Sequence, residues 1–155
     1  MSRQYFEITE AEALIPRLAG LMGEALQLHA HLRDSIDGLG QSGHVVNASV
    51  LSGERELELD DEDQRCLARA RMLFTALREN VETIEGTGAE VKGLVDGLLD
   101  FRSWRDGTTE VLLCWKLGEP GIGYYHDTHS GYAGRKPVVG HEFTNRRTEA
   151  TNAQN

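Results

Sequence analysis

Apolar positions recur at helical spacing in two long stretches and then give way to strand-like alternation. In the first stretch Leu14, Leu18, Leu21, Ala25, Leu28 and Leu32 follow at alternating steps of four and three, which aligns them in one seam. Ahead of it, Thr9-Glu10-Ala11-Glu12 has the S/T-x-x-E form of a capping box, so the pattern predicts a helix over about 9–37. Pro16 lacks a backbone donor and predicts a kink in its first part. The second stretch opens with Asp60-Asp61-Glu62-Asp63, whose carboxylates favour the positive end of a helix dipole. Leu67, Ala70, Phe74, Leu77, Val81 and Ile84 repeat the spacing until Gly86-Thr87-Gly88 stops it, predicting a helix over about 60–87. Each seam needs a partner, and the simplest is the other helix. Met22, Met72 and Leu73 are surplus to the seams and point to a further contact, with the C-terminal half or with a second copy of the chain.

The connection over residues 38–59 is long for a helical hairpin and holds Gly38, Gly40, Gly43 and Gly53. It reads as a mobile loop or as the seat of a short extra element, with His44 a solvated loop residue. After Gly88 the period becomes two: weakly over 89–92, more strongly over 98–101 and 110–116, and again over 122–126. Asp106-Gly107 and Gly118-Glu119-Pro120-Gly121 supply turn chemistry between them, so consecutive strands pair antiparallel. The resulting fold class is α+β: a long antiparallel two-helix hairpin packed with a small antiparallel β-meander, forming one domain over 1–138. From Val139 onward Phe143 is the single aromatic among polar residues, and 139–155 reads as a disordered tail.

Composition removes several function classes. A net charge of −9 over 155 residues argues against a nucleic-acid surface, which needs clustered Lys and Arg. No apolar run approaches the roughly 18 residues of a membrane span, and none at the N-terminus resembles a signal peptide. Cys66 and Cys114 follow no paired spacing and read as reduced, buried thiols in the cytoplasm.

Chemistry-bearing residues concentrate between residues 94 and 137, although no segment carries a nucleotide loop, a catalytic triad or a zinc motif at its required spacing. Antiparallel topology gathers Asp100, Arg105, Asp106, His126, Asp127 and His129 at one edge of the sheet and puts Glu119 at the other. Asp100, Asp106, His126 and His129 combine carboxylate with imidazole, a donor set for a divalent transition metal. Arg105 and Arg135, with the glycines of Gly131-Tyr132-Ala133-Gly134, suit a small anion such as a carboxylate or phosphate. The competing structural reading has the acids capping a turn, the arginines pairing with them, and His126 as a sheet-edge residue. A nucleophilic Cys114 needs a base in reach, and strand alternation leaves open whether His126 shares its face, because a one-residue slip reverses the answer. Trp104, Tyr124 and Tyr125 read as packing residues, and His29 and His31 as solvent-facing.

Tyr5-Phe6 with Thr9 and Glu12, then Glu90-Val91-Lys92, Leu99-Asp100-Phe101, Arg105-Asp106-Gly107, Leu113-Cys114-Trp115, Gly118-Glu119, His126 and Gly131-Tyr132-Ala133-Gly134-Arg135 together resemble an uncharacterised prokaryotic family, the domain of unknown function 2203 family. The resemblance runs from about residue 5 to residue 138, with its most specific part at the C-terminal end. Trp104 and the length of the 38–59 loop depart from the pattern. The resemblance implies one compact domain with its distinctive residues in the C-terminal block, and it implies no activity. The sequence therefore reads as a non-catalytic cytosolic binding or interaction module, homodimeric through its helical seam, with a small anion or a protein as partner. The alternative is a small metal-dependent enzyme, a hydrolase or oxygenase, using Asp100, Asp106 and His126, with Arg135 on the substrate.

Overall fold

The computed structural model describes residues 3–148. In chain order it contains α1 (Ile8–Gln41), α2 (Ala48–Leu51), α3 (Asp61–Gly86), β1 (Glu90–Gly93), β2 (Leu98–Arg105), β3 (Thr109–Lys116), β4 (Tyr124–Asp127), a single 3-10 turn (Tyr132–Gly134), β5 (Lys136–Pro137) and β6 (Phe143–Thr144). The α+β class and the antiparallel meander are as the periodicity predicts. The chain divides into two compact units, one made of the residues up to Met22 with those from Ile84 onward, the other of Gly23–Thr83.

In the first unit, strands β1 to β5 follow in sequence order, all antiparallel, and β6 joins β2. Alternation gives the sheet two different faces. Leu99 and Phe101 of β2, Val111, Leu113 and Trp115 of β3, and Tyr125 of β4 enter a core with Ala11, Ile15, Leu18 and Met22 of α1 and with Ile84. Burial of each such large side chain contributes roughly 1.5–3 kcal/mol. Met22 is thus a core residue here. The opposite face carries Asp100 and Arg102, Leu112 and Cys114, and Tyr124 and His126.

Helix α1 begins two residues earlier than the Thr9–Glu12 box predicts. The Glu7 backbone N–H donates to Glu10 Oε1 at 2.9 Å, so Glu10 rather than Glu12 satisfies an orphan donor at the helix start. Pro16 lies inside the helix, which continues to Gln41. The buried stripe of α1 is Ala11, Ile15, Leu18, Met22, Ala25, Leu32 and Leu39, while Leu14, Leu21 and Leu28 flank it half-buried.

In the second unit the 38–59 connection holds the short helix α2, whose N-cap Asn47 side chain accepts from the Val50 backbone N–H at 3.2 Å. Val50 packs with Leu39 and Leu67, and Arg71 Nε donates to the Val50 carbonyl at 2.9 Å. Cys66 Sγ donates to the Ser35 carbonyl at 3.3 Å, joining α3 to α1. His44 is half-buried in this connection, with Nε2 3.6 Å from Asp63 Oδ2. Met72 remains 73% exposed and Leu73 is half-buried.

Residues 139–148 depart from the disordered tail that composition predicts. Phe143 is buried against Tyr125 with ring centroids 5.2 Å apart, and β6 pairs with Trp104 and Arg105 of β2. The β2–β3 turn holds the segment as well, with the Thr148 N–H donating to the Gly107 carbonyl at 2.7 Å. The remainder of the expected tail, 149–155, lies outside the described residues. No described helix is long and apolar enough to cross a membrane.

Candidate metal centre

Register decides which side chains meet on the second face of the sheet. Asp100 lies opposite Cys114, and Leu112 lies opposite His126, so Asp100, Cys114 and His126 share that face on three adjacent strands. All three are at most 2% exposed. One carboxylate oxygen, the Cys114 Sγ and a His126 ring nitrogen all lie within 4.8 Å of one another. Cys114 and His126 therefore do share a face, the point that alternation alone leaves open.

The hydrogen bonds around His126 fix its chemistry. Nδ1 lies 2.9 Å from the Asp127 carbonyl, which can only accept, so Nδ1 carries a proton. Nε2 lies 3.0 Å from Asp100 Oδ2, a second acceptor. A bare Nε2 lone pair facing that carboxylate would be repelled, so a positive centre has to sit between them: a proton or a metal ion. With a proton the pair is an imidazolium and a carboxylate, and Asp100, followed by the Cys114 sulfur, raises His126 to about 10 against the opposing effect of burial. Asp100 Oδ1 is buried without a hydrogen-bond partner, so half of this carboxylate is unused by the protein.

Beside the three residues lies a cavity of about 150 Å³, also lined by Lys92, Leu98, Leu112, Thr128, Ser130, Gly131 and Tyr132. The segment after β4 walls it. Arg135 holds that segment down: its Nη2 donates to both Glu119 carboxylate oxygens at 2.8 Å and to the Cys114 carbonyl at 3.4 Å. Its guanidinium also stacks 4.1 Å from the Tyr124 ring centroid and 4.7 Å from that of Tyr132. Farther along the same face, Arg102 bridges Glu90 at 2.7 Å and Glu110 at 2.8 Å.

The other residues singled out in the sequence are dispersed. Asp106 forms the β2–β3 turn with a left-handed backbone at φ 54° and receives the Glu142 N–H at 3.0 Å and His141 Nδ1 at 2.8 Å. The Glu142 N–H, then His141, hold its carboxyl below the usual range. Arg105 lies by Tyr125, Nη1 to Oη at 3.4 Å, and does not join Arg135. His129 is exposed and is not among the residues lining the cavity, and Asp127 pairs with Lys136 at 3.5 Å. Of the edge cluster, the structure brings together Asp100 and His126 and adds Cys114, which the sequence reading weighed as a buried thiol or a nucleophile and not as a ligand. Lys92 and Tyr132 entered the sequence reading only within the motifs of the family resemblance, Glu90-Val91-Lys92 and Gly131-Tyr132-Ala133-Gly134-Arg135, with no role assigned to Lys92.

A family model described as an uncharacterized conserved protein (DUF2203) matches residues 4–138. No curated protein and no solved structure matches the chain.

Proposed function

The chain belongs to the DUF2203 family, and from the geometry of its sheet face we propose that it is a metalloprotein with one divalent transition-metal ion held by Asp100, Cys114 and His126. The observation that carries this reading is the buried Asp100–His126–Cys114 arrangement, in which Nδ1 is already committed to a backbone carbonyl and Asp100 Oδ1 has no partner. Nδ1–H donating to a carbonyl is the outer hydrogen bond that orients metal-bound imidazoles. Two ligands at bond lengths of roughly 2.0–2.1 Å on a tetrahedral ion stand about 3.3 Å apart, and thiolate to nitrogen about 3.6 Å. The 3.0 Å N···O separation and the 4.8 Å envelope need only sub-ångström to ångström adjustments to reach that shape.

The donor set selects the ion class. A thiolate beside imidazole and carboxylate favours zinc or a similar borderline ion over magnesium or calcium, and it lacks the second His of the usual non-haem iron oxygenase triad. Three protein ligands leave a fourth position, which the cavity serves. An ion there lowers the pKa of a bound water and polarises an oxygen atom, the chemistry of a hydrolytic enzyme. Of the two enzyme classes considered from the sequence, the hydrolase is favoured.

Elemental analysis of purified, tag-free protein, as isolated and after incubation with zinc or cobalt, tests the reading. One ion per chain is expected in the wild type and none in Cys114→Ser or His126→Ala, with circular dichroism reporting that the helices persist. No bound ion in the wild type after incubation would sink the metal reading and leave a buried ion pair in a binding module.

A further inference from the structure

We infer that the open position of this centre takes a small oxyanion of carboxylate or phosphate size, oriented by Lys92; the inference rests on the metal reading above. Charge comes first. A divalent ion bound by the Cys114 thiolate, the Asp100 carboxylate and a neutral His126 is formally neutral, and among the described residues Lys92 is the one Lys or Arg lining the cavity. Lys92 thus puts a positive charge on the cavity wall, where an anion in the open position would meet it.

Lys92 is available for that task. Its Nζ lies 3.2 Å from Glu90 Oε1, but Glu90 already holds Arg102 Nε at 2.7 Å through its other oxygen. Glu90 keeps a partner when Lys92 turns to a ligand. The arginines singled out in the sequence are committed elsewhere, Arg135 to Glu119 and Arg105 beside Tyr125. Hydroxyl-bearing Thr128 and Tyr132 line the same space and supply neutral donors, while the Ser130 hydroxyl donates to the Asp127 carbonyl at 3.3 Å.

Size then bounds the ligand. The cavity offers about 150 Å³ to the centre of a water-sized group, well above the roughly 10–15 Å³ that a single water needs. Formate, acetate, carbonate and inorganic phosphate fit that space whole, and a larger molecule would reach the ion through a terminal carboxylate or phosphate. Leu98 and Leu112 on the wall exclude water from one side and strengthen the charge interaction.

The test uses the full chain loaded with cobalt, whose visible absorption reports both its thiolate ligand and any change at the fourth position. Sodium formate and sodium phosphate are titrated separately at constant ionic strength, set with perchlorate. A saturable spectral change with at least one of the two is expected, and the anion that gives it distinguishes carboxylate from phosphate. Lys92→Gln should weaken that binding about tenfold, in line with a charged hydrogen bond shared with solvent, and Lys92→Arg should retain most of it. An unchanged spectrum of the cobalt-loaded protein with both anions, or equal affinity in Lys92→Gln, overturns the inference while the metal reading stands. Absence of the thiolate-to-cobalt band overturns both.

Discussion

Replacing Asp100 with Asn removes the charge facing His126 at little change in volume, and its effect on stability follows from the pair's geometry. In the metal-free protein both side chains are about 3% exposed and 3.0 Å apart. His126 is raised from 6.5 to about 10, chiefly by Asp100. A raised pKa means that the folded state binds the proton more tightly than the unfolded chain does. The contribution is therefore fully present below about pH 6.5, declines as pH rises, and is gone above about pH 10. At about 1.4 kcal/mol per unit the whole window is worth at most about 5 kcal/mol, and breaking one partner of a buried pair costs roughly 3–5 kcal/mol. We expect the wild type to lose about 3 kcal/mol between pH 6 and pH 9.5, and Asp100→Asn to start about 3 kcal/mol lower at pH 6 with a nearly flat profile. Urea unfolding in the presence of a chelator, followed by circular dichroism at four or five pH values, measures both. A flat wild-type profile, or an Asp100→Asn profile with the wild-type slope, would refute the argument that this pair holds the proton.

Three further outcomes are expected. Zinc at about one hundred times its dissociation constant should stabilise the wild type by about 2.7 kcal/mol, and differential scanning fluorimetry should find no such shift in Cys114→Ser. Phe143→Ala removes the anchor of β6 and should cost about 3 kcal/mol in urea unfolding; a cost below about 1 kcal/mol would show that the segment contributes little. Asn80 is 8% exposed, and its Oδ1 lacks a hydrogen-bond partner. Asn80→Leu should consequently raise stability by about 1 kcal/mol, because an unsatisfied buried amide costs roughly 1–3 kcal/mol, and a lower urea midpoint in this variant would contradict that.

The legible part of this chain was its periodicity. Three-and-four spacing located both long helices, and the change to alternation after Gly88 located four strands, because burial on one face leaves a direct mark on residue order. The cap of α1 was misplaced because two S/T/E-type starts overlap within five residues, and the one used at Glu7–Glu10 has no hydroxyl at its first position. Phe143 was legible only as an isolated aromatic; its partners Tyr125, Trp104 and Arg105 lie far back in the sequence. The site was half legible for the same reason. Alternation sorted Cys114 and His126 within their own strands and topology placed Asp100 at the same edge as His126, but the pairing of Leu112 with His126 that brings them together is a property of two strands and their turn. Asp106 and His129 carry the right chemistry and lack the right neighbours.

The sheet is one residue thick, and along β3 the side chains alternate between the core and the candidate site. Val111, Leu113 and Trp115 face the core, whereas Leu112 and Cys114 face the cavity. A saturation scan across this strand would therefore separate into two interleaved phenotypes. Positions 111, 113 and 115 would tolerate only apolar residues of similar bulk and would fail through lost protein abundance. At Cys114, many substitutions would yield normal amounts of protein that had lost its ligand chemistry. Inherited variation in this family should carry the same stripe, so that aligned sequences from many genomes would reveal the centre as a period of two superimposed on the hydrophobic pattern.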